Sequence, residues 1–206
     1  MAVTRISTSS IQDFNKSNTI SAGAINWGAA TGGNYTPIID GFQYHIFTTN
    51  SNFVVTKEGT FEYLIVAGGG GAGARVNTAA TGGAGAGGAY TGLKNITTGT
   101  YAVAIGAGGA GASVVRTQGA NGNATTWGSF TEFVFQGGGG SGGSDNLTTA
   151  LPFVNGADGD CGGGGSCAGG TTGVGGTGSL GGDGGDAQPF VFADCEGGGG
   201  GGMSTD

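Results

Sequence analysis

The 206-residue sequence is short of charge, proline and histidine: 9% of its residues are charged, three are proline, and His45 is the single histidine. With one histidine and no serine elbow motif, a Ser–His–Asp arrangement has no support. Three prolines and irregular glycine spacing exclude a collagen triple helix, which needs glycine at every third position and abundant proline. Disordered chains pair high charge with few apolar residues, whereas 36% of this chain is hydrophobic. No apolar run approaches the roughly 20 residues of a membrane-spanning helix. No basic stretch followed by an apolar one opens the chain, so no secretory signal is expected.

Positive charge is also missing from one half. The last basic residue is Arg116, and Glu132, Asp145, Asp158, Asp160, Asp183, Asp186, Asp194, Glu196 and Asp206 follow it within a net charge of −7. An acidic surface repels phosphate backbones and anionic lipid. Neither a nucleic-acid partner nor membrane insertion is therefore expected. Cys161, Cys167 and Cys195 read as small buried residues, with a Cys161–Cys167 or Cys167–Cys195 disulfide as the alternative. Their spacing does not suit zinc, and His45 is far off in sequence. Asp183 and Asp186 match one calcium-binding repeat, but such repeats bind by stacking. With Asp158 and Asp160, these acids read first as solubilising groups on a glycine surface. Gly106–Gly111 matches G-x-G-x-x-G but opens no helix, so no nucleotide site is inferred. No cofactor is expected.

What the chain has is glycine. Of 53 glycines, six lie before residue 61. The rest gather in runs that directly follow short apolar segments: Leu64–Ala67 into Gly68–Gly71, Val103–Ile105 into Gly106–Gly111, Phe133–Phe135 into Gly137–Gly143, and Phe190–Phe192 into Gly197–Gly202. A flexible linker has no reason for that punctuation. Each ordered glycine costs about 0.5–1 kcal/mol relative to alanine, so a fold tolerates so many only where side chains do not fit. Glycine helices of the polyproline-II type meet that condition. They have three residues per turn and no internal hydrogen bonds, and their bare backbones can pack side by side. Gly156, Gly159, Gly162 and Gly165 keep the period, as do Gly175, Gly178, Gly181 and Gly184.

The fold class expected is all-β: a short antiparallel strand module combined with packed glycine-rich polyproline-II-type helices, without substantial α-helix. Residues 1–40 are polar and read as an extended attachment segment, residues 41–136 as a β module with glycine-rich insertions, and residues 137–206 as a glycine helix bundle with acidic loops. Strands are expected at 42–47, 53–55, 61–67, 89–93, 101–105, 124–127 and 130–136.

The succession Tyr44–Phe47, Phe53–Val55, Glu62–Gly71, Gly85–Tyr90, Gly99–Gly109 and Thr125–Phe130 resembles the glycine-rich domain of bacteriophage tail-fibre and adhesin-like virion proteins. The opening Ala2–Asp13 is similar to the start of tail-fibre-like proteins. The resemblance implies a non-enzymatic virion protein that holds loops on a rigid scaffold. Its partners would be other virion proteins, a host-surface glycan or protein, and further copies of itself. A capsid-decorating or tail-adaptor protein is the alternative, and an ice-binding glycine-helix protein a more distant one, since the tripeptide period holds only in patches. In the adhesin reading, binding falls to residues that interrupt the glycine text: Arg75, Arg116, Leu151, Phe153 and Phe190. Virion anchoring falls to Ile6, Ile11 and Phe14.

Overall fold

The computed structural model describes residues 2–7, 25–74, 80–114, 117–130, 137–142, 155–168, 171–188 and 196–203. The fold is all-β, with no helix among these residues. The strands are β1 (Ala2–Ser7), β2 (Ala29–Thr31), β3 (Ile38–Ile39), β4 (Phe42–Phe47), β5 (Ser51–Lys57), β6 (Gly59–Val66), β7 (Ala89–Ile96), β8 (Gly99–Ala104), β9 (Thr126–Trp127), β10 (Cys167–Ala168) and β11 (Thr171–Thr172). The chain divides into two compact units that interleave along the sequence. A β unit comprises Met1–Ile65, Tyr90–Ile105 and Thr126–Val134; a glycine unit comprises Val66–Ala89, Gly106–Thr125 and Phe135–Asp206.

The β unit has a five-stranded sheet, ordered β3-β4-β1-β6-β7, and a four-stranded sheet, ordered β2-β5-β8-β9. Its strands alternate as a half-buried sheet requires: along β6, Gly59, Phe61, Tyr63 and Ile65 are buried and the intervening residues are not. Phe53 of β5 is the hub between the sheets. Its ring meets His45, Phe61 and Trp127 edge-on at centroid distances of 5.4, 5.3 and 5.4 Å, and Phe47 at 6.2 Å. Edge-to-face pairs at such distances add about 0.5–1.5 kcal/mol each beyond the area they bury.

Within residues 1–40, read from their polarity as an extended segment, the described residues 2–7 and 25–40 are part of the β unit. They supply β1, which pairs antiparallel with both β4 and β6, together with β2 and β3. A central strand's place is fixed by two neighbouring ladders, not by its own pattern, and Ala2–Ser7 carries no clear alternation. β3 turns into β4 through Asp40-Gly41, whose φ values of 51° and 78° are both left-handed. That is the two-residue turn whose twist matches a hairpin.

In the glycine unit the backbone repeats by three. The N–H groups of Gly68, Gly71 and Ala74 donate to the carbonyls of Asn123, Ala120 and Thr117 at 3.0, 2.8 and 3.1 Å. Ala67 and Gly70 donate to Gly88 and Gly85, while the Gly69 and Ala72 carbonyls accept from Gly109 and Ala112. Successive residues thus face different neighbours and every third faces the same one. A β ladder alternates by two; three is the repeat of an extended polyproline-II-type helix. Segment 161–167 exchanges backbone hydrogen bonds in this manner with segments 80–89, 137–142, 155–160, 171–178, 181–188 and 196–203. It is buried throughout, as is 137–142.

Glycine serves the two units differently. All described glycines with positive φ (Gly32, Gly33, Gly41, Gly59, Gly99 and Gly128) belong to the β unit. The described glycines of the glycine unit have no positive φ, and at most of them space is what excludes a side chain. A Cβ at Gly71 would overlap the Ala110 carbonyl oxygen, and one at Gly163 the Gly140 carbonyl oxygen.

Candidate interaction surfaces

The hydrogen-bond registers fix the direction of each glycine segment. Segments 66–74, 106–114, 137–142, 161–167 and 181–188 run one way; 80–89, 117–125, 155–160, 171–178 and 196–203 run back. Ala74 therefore lies beside Thr117, Ala80 beside Cys167, and Gln188 beside Glu196, all at one end. The stretches 75–79, 115–116, 143–154, 169–170 and 189–195, which lie outside the described residues, each fall between two segment ends at this same end. The opposite end carries the reversals at 160–161 and 179–181, where Leu180 and Gly181 both donate to the Asp160 carbonyl.

Where the unit meets solvent along 174–178, side chains replace the missing backbone neighbours. The Asn155 and Asp158 Oδ1 atoms accept the Val174 and Thr177 N–H groups at 3.1 and 2.7 Å. From the other side, Asp186 and Asp183 accept those of Gly175 and Gly178 at 2.8 and 2.7 Å. Both pairs are spaced by three, as the backbone repeat demands. These carboxylates, expected to be solubilising acids or calcium ligands, complete the backbone hydrogen bonding at the rim. Among the described residues no group of three His, Cys, Asp or Glu side chains is placed to hold a metal ion.

The β unit carries an open cleft of about 620 Å³, lined by Asn26, Glu58, Thr60, Leu93, Lys94 and Asn95 among others. The Thr60 hydroxyl donates to Asn95 Oδ1 at 2.6 Å, and Lys94 Nζ stands 4.6 Å from the Phe130 ring centroid. Amide, hydroxyl, carboxylate and ammonium groups here suit hydrogen bonding to a polar ligand.

His45 is fully buried, in keeping with a packed strand histidine. Its Nδ1 lies 2.7 Å from the Gly32 carbonyl oxygen. Burial pushes its pKa below the usual histidine value, and the Gly32 bond offsets part of that. Cys161 is a free, buried thiol, pushed up in pKa by burial and then by the Asp160 charge. Cys167 is buried but disulfide-bonded. The small-buried-residue reading thus holds for Cys161 and fails for Cys167, and a Cys161–Cys167 bridge is ruled out. Cys195 lies outside the described residues.

Of the residues selected for function, Ile6 lies in β1 in register with Gln43. Arg75, Arg116, Leu151, Phe153, Phe190, Ile11 and Phe14 lie outside the described residues. Sequence reasoning missed the rim carboxamide and carboxylates. Their signal was the three-residue spacing of Asn155 with Asp158 and of Asp183 with Asp186, in phase with the surrounding glycines.

No curated protein and no solved structure matches the chain. A family model described as a glycine-rich domain matches residues 48–206. That span takes in β5 to β9 together with every segment of the glycine lattice, and the chain belongs to the glycine-rich domain family.

Proposed function

We propose that this chain is a non-enzymatic phage virion protein of tail-fibre or adhesin type, whose glycine segments act as polyproline-II-type helices bundled into a rigid scaffold for binding loops. One observation carries the reading. Antiparallel alternation of the segments brings five chain connections to a single end, and Arg75, Arg116, Leu151, Phe153 and Phe190 fall within four of them. A frame of close-packed backbones fixes the ends of those connections relative to one another. Aromatic rings and arginines are the side chains most used as binding anchors. Host-surface glycan or protein is the proposed partner of that end. The attachment role rests on Ile11 and Phe14, between β1 and β2, because β1 itself is committed to the five-stranded sheet.

Electron microscopy of particles carrying a labelled subunit tests the assignment. A position at an exposed tail or fibre tip supports it. A position on the head, or enclosed within the tail, rejects receptor binding in favour of a decorating or adaptor role. At the tip, Arg75→Ala, Phe153→Ala and Phe190→Ala together should abolish adsorption while leaving particle assembly intact.

A further inference from the structure

The histidine ring has one nitrogen satisfied and one stranded. A carbonyl oxygen only accepts, so the 2.7 Å contact with Gly32 assigns the proton of neutral His45 to Nδ1. Nε2 is then the lone-pair nitrogen. It is buried and has no hydrogen-bond partner. The His45 and Phe53 rings meet edge-to-face, and Phe53 in turn touches Phe47, Phe61 and Trp127. His45 thus joins the turn after β2 to the aromatic hub between the sheets.

Among the described residues no counter-charge acts on the ring. Thr4 of β1 is in register with both His45 and Tyr63, so the phenol of Tyr63 is the titratable group in this row. Arg5 is in register with Tyr44 and Glu62, one step along the pleat. Glu62 alternates with the buried Phe61 and Tyr63 and stands on the other face. From β5 the facing group is Phe53, while the exposed Lys57 at the end of that strand donates to the Trp27 carbonyl. From the β2 side it is the Gly32 carbonyl. A second proton on the ring would place a buried charged donor at Nε2 with nothing to accept it. Such a buried, unpaired charge is strongly disfavoured.

We propose that His45 is an acid-sensitive lock of the β unit: neutral, it fastens the Gly32 turn to the Phe53 hub, and protonated, it loosens β4 from β5. The linkage has a definite sign. A histidine whose native pKa is depressed contributes stability that is complete above its unfolded value of about 6.5. That contribution is lost as the pH falls through the native value. Each pH unit of depression corresponds to about a tenfold rise in the unfolding constant at the acid plateau.

Trp27 and Trp127 are the chain's two tryptophans and both lie in the β unit, so tryptophan fluorescence reports its unfolding. Urea midpoints of the full chain and of His45→Phe are compared between pH 7.5 and pH 5. The wild-type midpoint should fall relative to the variant below about pH 6.5; a wild-type-minus-variant difference that stays constant overturns the proposal. Should the variant not fold, NMR titration of the wild-type imidazole decides. A neutral Nδ1–H tautomer with a pKa below 6.5 supports the lock, and a pKa at or above 6.5 overturns it.

Discussion

The Asp186 carboxylate accepts the Gly175 N–H at 2.8 Å from eleven residues away in the sequence. It stands where a further glycine segment would otherwise supply a carbonyl. Asp186→Asn keeps an acceptor oxygen and should leave the thermal midpoint of the glycine unit nearly unchanged. Asp186→Ala should cost about 0.5–1.5 kcal/mol, the net worth of a typical hydrogen bond. Chelator treatment should shift neither midpoint. A Tm drop with EDTA, or an Asn variant as damaged as the Ala variant, would instead identify a cation ligand.

Space, not φ, dictates the interior glycines, so alanine should separate two kinds of site. Gly163→Ala drives its Cβ into the Gly140 carbonyl and should cost at least about 2 kcal/mol through backbone displacement. At Gly199 a Cβ meets nothing within 4 Å. Gly199→Ala should be neutral, or stabilise by about 0.4–1 kcal/mol by restricting the unfolded chain. Denaturant midpoints measured on both variants check this, and equal losses would refute the close-packing account.

Phe53 is fully buried and anchors the ring cluster. Phe53→Ala should destabilise the β unit by about 3–5 kcal/mol, whereas truncation at the exposed Ile38 should move it by no more than about 0.5 kcal/mol. Tryptophan fluorescence during urea unfolding provides the measurement.

Cys161 is buried, and burial and the Asp160 charge both push its thiol up. Iodoacetamide at pH 8 should therefore leave Cys161 unmodified in the native chain and alkylate it once urea unfolds the glycine unit. Mass spectrometry after digestion reads the outcome; fast native labelling at Cys161 would contradict its placement.

The strands from Phe42 to Ala104 were legible because their apolar residues alternate and turn residues separate them. The glycine text was legible as something ordered because apolar segments bracket it. β1 was not, because a strand held on both sides by β4 and β6 needs no alternation of its own. Nor was the Asp40-Gly41 turn, although the dipeptide signals a hairpin: β3, with two residues, is too short to show a pattern. The partners of each glycine segment were illegible for a different reason. Without side chains a segment carries no mark of which neighbour it faces, and the registers emerge only from the whole lattice. The spacing of Asp183 and Asp186 was visible, but its meaning required the phase of Gly175 and Gly178.

Threefold repetition gives the glycine unit a reading frame. One residue inserted within segment 161–167 would turn every later donor by about 120°, away from its acceptor and toward a different neighbour. Three inserted residues would restore the phase. Residues added between Ala74 and Ala80, or between Gln188 and Glu196, would shift no register at all. Length variation among descendants of this sequence should therefore fall at the connections, or inside segments in multiples of three.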